Sequence, residues 1–245
     1  MNGIGNEFIE KTKYKYEEQS AQARGLPQPP LEMGYDLSKP LIALPKPDNS
    51  KYGKVSLIDV INNRRSVRQY SERSLSPEEL SYLLWCTQGV KKVNSDKHTF
   101  RTVPSAGARH AFETYLLINK VEGLKPGLYR YLALEHKLME INVEPGMADE
   151  IVAGCLGQGF VGLSAVTFIW AADVKRMKWR YEERGYRYLH LDAGHVCQNL
   201  YLAAESIDCG ACAIAAFEDD LINSTLGLDG KEQFVIYVAT AGKKQ

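Results

Sequence analysis

Net charge is the first thing this chain lacks: thirty Lys and Arg residues balance thirty Asp and Glu. A neutral chain sets up no global field of the kind that draws proteins to nucleic acid or anionic membranes, so any anion must be held locally. No apolar run approaches the length of a membrane span, and the first residues show no basic stretch followed by an apolar one. The expectation is a cytoplasmic protein. Cysteine is sparse: Cys86, Cys155, Cys197, Cys209 and Cys212 are scattered, odd in number and mostly set in apolar context. That suits reduced core thiols better than a disulfide framework. There is no Gly-x-Ser-x-Gly elbow and no convincing Cys–His arrangement, which leaves hydrolytic nucleophile chemistry with little support. Without a second CxxC or a suitably spaced His pair, Cys209-Gly210-Ala211-Cys212 is not half of a zinc site, and no metal is expected. Because that pair leads into a strand rather than a helix, inert thiols are the expectation.

What is present fits one domain, or one domain with an arm: 245 residues, 44% of them apolar and 24% charged, can bury a real core. Residues 1 to about 23 read as helical. Pro27, Pro29, Pro30, Pro40, Pro45 and Pro47 then argue against regular structure until about residue 50. Residues 1–54 are therefore expected to form an arm lying on the protein's own body or on a partner subunit, with the main domain at 55–245. Ser56 opens a helix through Leu57, Ile58, Val60 and Ile61. Ser76-Pro77-Glu78-Glu79 supplies an N-cap, a first-turn proline and acidic residues for the next helix, which runs to Gly89.

Strands are expected at Thr114–Ile118, at Gly127–Tyr131 paired with Lys137–Ile141, at Ala165–Ala171, at Cys212–Phe217 and at Phe234–Thr240. Helices are expected at 148–156 and at Tyr188–Glu205. The small and apolar residues of the latter cover so much of its circumference that it should be largely buried. The non-repeating order of helix and strand indicates an α+β sheet covered by helices.

The densest chemistry lies in Arg64-Arg65-Ser66-Val67-Arg68-Gln69-Tyr70. Fork-shaped guanidiniums and a neighbouring hydroxyl match the oxygens of a phosphomonoester, though a solvated basic helix end has the same composition. Gly157-Gln158-Gly159-Phe160-Val161-Gly162 matches GxGxxG, but a helix precedes it and a strand follows, the reverse of the dinucleotide-binding order. It reads as a flexible turn. His190 and His195 fall on different faces of one helix, whereas Asp192 and His195 at i, i+3 can pair. Lys175–Arg187, with Trp179, Arg180, Tyr181, Arg184 and Tyr186, suits a lid over a ligand pocket and an amphipathic surface helix equally well.

Taken together, five features resemble the nitroreductase superfamily in order across residues 55–245. They are the arginine run, Pro104-Ser105-Ala106-Gly107-Ala108, the helix Leu191–Leu200, the run Cys212–Phe217 and the Gly242-Lys243 tail. Pro104–Ala108, Gly127-Leu128-Tyr129-Arg130-Tyr131 and the aromatic-basic stretch into Asp192-Ala193-Gly194-His195 are most similar to its SagB-type dehydrogenase branch. The resemblance implies a mostly antiparallel central sheet flanked by helices, in an intertwined homodimer with FMN at the subunit interface. It places Arg64, Arg65, Ser66 and Arg68, with Lys243 or Lys244, on the flavin's phosphate and ribityl chain. Pro104, Ser105 and Ala106 would meet the ring from the other subunit. Ile214, Ala215 and Ala216 match the loop whose backbone N–H faces flavin N5, a position usually richer in Gly.

The implied reaction takes hydride from NADH or NADPH through flavin N5 to a nitroaromatic, a quinone or a similar small acceptor. Peptide-modifying members of the branch instead oxidise azolines with the help of a Lys-Tyr pair in the lid region. Arg180-Tyr181 stands at the plausible equivalent, and arginine is a poor general base. A flavin-binding module without turnover is the third reading. Ser105 and Tyr181 are the candidate catalytic residues near the reacting centre.

Overall fold

The computed structural model describes residues 3–48, 52, 54–94 and 97–245. Its centre is a pair of strands buried along their whole length, β4 (Phe112–Ile118) and β7 (Val166–Asp173). Around them lie β1 (Leu41–Ala43), β5 (Gly127–Leu132), β6 (Lys137–Asn142), β8 (Cys209–Ile214) and β9 (Gln233–Lys243). The seven strands run β1-β6-β5-β4-β7-β9-β8, every neighbouring pair antiparallel. A separate hairpin joins β2 (Val90–Asn94) to β3 (His98–Arg101).

Antiparallel sheets often leave one face wet, but here helices cover both, which is why β7 and the second half of β4 read as largely apolar runs rather than alternating ones. Side chains still alternate between two cores. Leu116, Phe168 and Trp170 pack with α3 (Pro77–Gln88), α6 (Val174–Tyr181) and α7 (Gly185–Ser206). Tyr115, Leu117, Ile169 and Ala171 pack on the other face with α4 (Met147–Gly154), α5 (Phe160–Leu163) and the residues around α8 (Asp219–Thr225). The remaining helices are α1 (Ile4–Lys11) and α2 (Leu57–Asn63). Ser76 and Glu79 form the capping box that starts α3, satisfying two otherwise orphaned donors. Ser56 sits at the N-cap of α2 without a side-chain bond.

The fold is thus the expected α+β architecture, with local departures in the arm and in α7. The first concerns the expected helix at 1–23, of which only α1 and a short turn at Tyr14–Tyr16 are helical. Farther along, Ala21 N–H donates to Glu182 at 2.9 Å and Gln22 N–H to the Trp179 carbonyl at 2.8 Å. Contacts with α6 and the turn after it thus replace helical bonds there.

Second, the proline-rich stretch contains β1, which pairs with β6 through Leu41–Ala43. Three residues between Pro40 and Pro45 suffice for an edge strand, where a missing N–H can face outward. Third, α7 is less buried than its composition suggests: His190, Leu191, Gly194, His195 and Gln198 form an exposed stripe.

The arm segment 31–34 lies on the protein's own body, over a buried charge cluster. Glu113 accepts from Met33 N–H at 2.9 Å and pairs with Arg130 at 2.9 Å and with Arg176. The same guanidiniums donate to the carbonyls of Leu31 (3.2 Å), Met33 (2.5 Å) and Gly34 (3.0 Å).

Candidate functional site

Arg64 caps α2, and from there the chain runs extended along the sheet edge. Ser66 bridges in parallel to Ala211 of β8, and Tyr70 bridges antiparallel to Lys244. Val67 N–H donates to the Ala211 carbonyl at 2.9 Å and Ser71 N–H to that of Lys243 at 3.0 Å. Tyr70 hydroxyl, bonded at 2.7 Å to both the Val67 carbonyl and Thr240 Oγ1, fixes the far end. The approach is so close that a Cβ at Gly210 would stand 2.5 Å from Val67 Cβ. The arginine run is therefore a backbone-locked ledge on β8 and β9, not a frayed helix end.

Its side chains are free for a ligand. Arg64, Arg65 and Arg68 form no ion pair among the described residues; Arg64 lies over the Tyr201 ring at 5.2 Å and Arg68 near Phe160 at 6.0 Å. Ser66 Oγ bonds Tyr201 hydroxyl at 2.9 Å, and that hydroxyl also accepts from Ala213 N–H at 2.7 Å. Arg65, Ser66, Arg68 and Lys244 line an open cavity of about 410 Å³. Lys244 also pairs with Glu205 at 2.7 Å. Lys243 turns away to Glu79 in the capping box of α3, so of the two basic candidates Lys244 alone joins the ledge.

β8 ends at Ile214, three residues short of the expected Phe217, and Ala215 and Ala216 follow it exposed. Ala211 offers its carbonyl to Val67 and Ala213 its N–H to Tyr201, so odd-numbered residues turn their backbone away from β9. Ala215 follows directly, so its N–H lies at the end of β8 beside the ledge.

The other predicted residues gather elsewhere. Ser105 Oγ donates to Asp192 at 2.5 Å and accepts from His110 N–H at 2.9 Å, while Ala106 N–H donates to Asp192 at 3.2 Å. Burial pushes the Asp192 carboxyl up, against the lowering effect of these bonds. Asp192 therefore serves the 105–110 loop rather than pairing with His195. Tyr181 closes over the same loop: a Cβ on Gly107 would stand 2.5 Å from its hydroxyl. Pro104, Ser105, Ala106 and Tyr181 are thus one group, and the ledge with Ile214–Ala216 another.

α7 carries both groups, through Asp192 and Tyr201. Nine residues at 1.5 Å rise separate these by about 13 Å along the axis. Tyr201 escaped the sequence reading because its partners, Ser66 and Ala213, lie on other elements and leave no local pattern.

The remaining motifs take no part. Cys209 and Cys212 are free and buried in β8, and burial pushes Cys209 up to about 12. Three residues apart on a strand, they project to opposite faces. The GxGxxG segment lies between α4 and β7, the order expected for a non-nucleotide turn, and contains the short α5. Among the described residues no cluster of His, Cys, Asp or Glu could hold a metal, and no helix is long and apolar enough to cross a membrane.

The chain is similar to proteins provisionally named as nitroreductases. One from Methanocaldococcus jannaschii is 34% identical over 191 residues, 78% of this chain and 92% of its own. A solved structure from Anabaena variabilis superposes with a TM-score of 0.70 at 27% identity, covering 87% of this chain and 45% of that one. Another, from Desulfovibrio desulfuricans in complex with FMN, shares the fold with a TM-score of 0.53 at 19% identity, over 77% of this chain and 86% of that one. The trifolitoxin-processing protein TfxB of Rhizobium leguminosarum bv. trifolii is 29% identical over 196 residues; the match takes in 73% of this chain but only 52% of TfxB. The sequence pattern of the Nitroreductase family matches residues 61–243, nearly all of the sheet and both residue groups, and the chain belongs to that family of oxidoreductases.

Proposed function

We propose that the chain is an FMN-dependent oxidoreductase that passes hydride from NADH or NADPH to a small electron-poor acceptor, working as a homodimer. One observation carries this: among the described residues Arg64, Arg65 and Arg68 form no ion pair, and they stand with Ser66 on a rigid ledge beside the Ala215 N–H at the end of β8. The donor set fits the cofactor, because bidentate guanidiniums and a hydroxyl suit a phosphomonoester and a backbone donor suits a ring nitrogen. The FMN bound to the Desulfovibrio desulfuricans fold neighbour agrees with this choice of ligand.

When bound, FMN supplies the hydride chemistry itself. Arg64, Arg65, Arg68 and Lys244 hold its phosphate end by charge, and Ser66, oriented by Tyr201, adds a hydroxyl. The N–H of Ala215 would serve as a donor to the ring, and a donor already in place acts without reorganisation cost at the moment of reaction. Ser105, its proton committed to Asp192, orders the 105–110 loop rather than exchanging a proton with substrate. Tyr181 then stays the one hydroxyl candidate in the lid. The separation of the two groups along α7 supports a site completed by a second copy, with the 104–106 loop of one subunit facing the ledge of the other. The exposed stripe of α7 is a natural contact for that copy.

A second reading, oxidation of a peptide heterocycle with oxygen as electron acceptor, draws on the kinship to a trifolitoxin-processing protein. It ranks lower because Arg180 stands where a base is wanted. An anaerobic absorbance spectrum with and without NADH or NADPH decides among the readings. Prompt bleaching of a flavin band supports the first and excludes a binding module without turnover. A band that persists with both reductants excludes the first, and protein unable to take up FMN removes all three.

A further inference from the structure

The 107–110 loop is held in an unusual conformation. Gly107 has φ 55°, and the non-glycine residues Ala108 and His110 have φ 55° and 43°. Such left-handed conformations persist only where their surroundings over-determine them, and they cluster at ligand sites. The restraints here are Ser105 Oγ on His110 N–H at 2.9 Å and Arg176 on the His110 carbonyl at 3.1 Å.

This loop delivers a guanidinium to a particular place. Arg109 Nε donates to the Gly107 carbonyl at 3.1 Å, and the side chain lies over Trp179 at 5.0 Å. Arg180 packs on the same glycine, whose Cβ would stand 2.9 Å from Arg180 Cδ. Both arginines, with Gln28, Lys97, Phe100 and Trp179, line a cavity of about 560 Å³ that no described Asp or Glu enters.

The buried arginines elsewhere have partners: Arg130 and Arg176 share Glu113, and Arg101 donates to Gln88 at 3.0 Å and to Thr99 at 3.2 Å. By contrast, among the described residues Arg109, Arg180 and Lys97 form no ion pair and the terminal nitrogens of Arg109 have no hydrogen-bond partner. Burial and the neighbouring Arg180 charge both hold the Arg109 pKa below its ordinary value. Two like charges brought together without a carboxylate are an unfavourable arrangement that an incoming oxyanion relieves.

We propose that this cleft is an anion subsite that seats a planar aromatic ligand bearing a carboxylate or phosphate, its ring against Trp179 and Phe100 and its oxyanion shared by Arg109 and Arg180. The proposal rests on the oxidoreductase reading in one respect. The cleft opens beside the 104–107 loop that is proposed to meet the flavin ring, so the ligand is a substrate of that reaction, either an anionic acceptor or the phosphate-bearing part of the reductant.

Calorimetric titration of the purified flavin-containing protein tests it without turnover. The probes are 4-nitrobenzoate against nitrobenzene, and adenosine 2′-phosphate against adenosine. At least one oxyanion is expected to bind about 10-fold or more tightly than its uncharged counterpart, the scale of one charge-assisted hydrogen bond. A preference for nitrobenzoate assigns the subsite to the acceptor, and one for the 2′-phosphate assigns it to the reductant. Arg180→Gln, an exposed change, should cut the preference below about 3-fold with flavin content intact, and Arg109→Gln should do the same where it folds. Equal binding of charged and uncharged probes overturns the subsite, as does a preference that survives in Arg180→Gln. If NADH and NADPH both fail to bleach the flavin while the oxyanion preference stands, the oxidoreductase reading fails and the binding site survives. Bleaching without any preference is the opposite result.

Discussion

Removing the Glu113 charge is expected to cost this protein more than any surface change. Glu113 is 2% exposed and is shared by Arg130 and Arg176, which are themselves 4% and 3% exposed. In Glu113→Gln the shape is nearly kept, but among the described residues Arg130 is left with no carboxylate and Arg176 with Asp173 alone, at 3.1 Å. Breaking a buried pair by removing one partner costs about 3–5 kcal/mol, because the charge left behind stays desolvated. For a chain of this length each kcal/mol moves Tm by about 2–4 °C, so a fall of about 6–20 °C is expected in differential scanning calorimetry. The control is Glu135→Ala, whose pair with Lys137 is about one-third exposed and should be worth no more than about 1 kcal/mol.

The effect also has a pH signature. Burial pushes the Glu113 carboxyl up, but Arg176 and Arg130 outweigh burial and hold it below its ordinary value of 4.5. A folded-state pKa below the unfolded one contributes stability above about pH 4.5 that is lost as the pH falls through the depressed value. The acid limb of the Tm–pH curve should therefore be shallower in Glu113→Gln. A variant within about 3 °C of wild type at pH 7, less than the smallest cost allows, would refute the claim that this cluster anchors the arm.

Arg64→Ala removes one charged contact worth about 1.5–3 kcal/mol and should weaken FMN binding about 10- to 150-fold in a spectrophotometric titration; full flavin content after purification would contradict the assignment. Gly210→Ala puts a Cβ 2.5 Å from Val67 Cβ and should cost about 1–3 kcal/mol while displacing the ledge. Reduced flavin uptake with a lower Tm is expected, and normal uptake would show that the ledge can move. Deleting residues 1–50 takes away β1 and the carbonyls that Arg130 and Arg176 engage, so loss of folded protein by circular dichroism is expected. A deletion variant with wild-type Tm would sink that view of the arm. The buried thiols of Cys155, Cys197, Cys209 and Cys212 should be inert to Ellman's reagent in the native protein and react only on unfolding; rapid native reaction of Cys209 or Cys212 would reopen a redox role for the pair.

The parts of this fold legible in the sequence were those set by neighbours in the chain. The Ser76 capping box, the hairpin of β5 and β6, and the continuous apolar run of β7 each carry their own signal within about ten residues. The misread strands came from distant partners. β1 exists because Leu41–Ala43 meets Lys137–Met139, which no proline count reveals. β8 begins at Cys209 because Lys243 lies opposite it, although Gly210 carries little strand propensity.

The site shows the same division. The arginine run was visible as composition, but that it forms a ledge depends on Ala211, Lys243 and Thr240, more than 140 residues downstream. Asp192 has His195 one turn away on its own helix, yet it bonds Ser105, 87 residues upstream.

That choice of partner explains how α7 can serve chemistry at both ends. Asp192 fixes the 105–110 loop near its start, and Tyr201 fixes Ser66 and Ala213 near its end. A helix is stiff over such a span, so the two groups keep a set distance that side-chain motion cannot close. If each catalytic site needs both, one chain cannot complete it, and a second chain packed along the exposed stripe of α7 can. The stripe explains the composition as well. Gly194, exposed and with nothing within 4 Å of a notional Cβ, is a poor helix former with no packing role among the described residues. Its cost is intelligible where a partner's backbone must come close. Gly194→Leu should therefore leave the fold of the single chain intact while weakening the dimer. Sedimentation equilibrium separates the two effects, and an unchanged dimer would place the subunit contact elsewhere on the molecule.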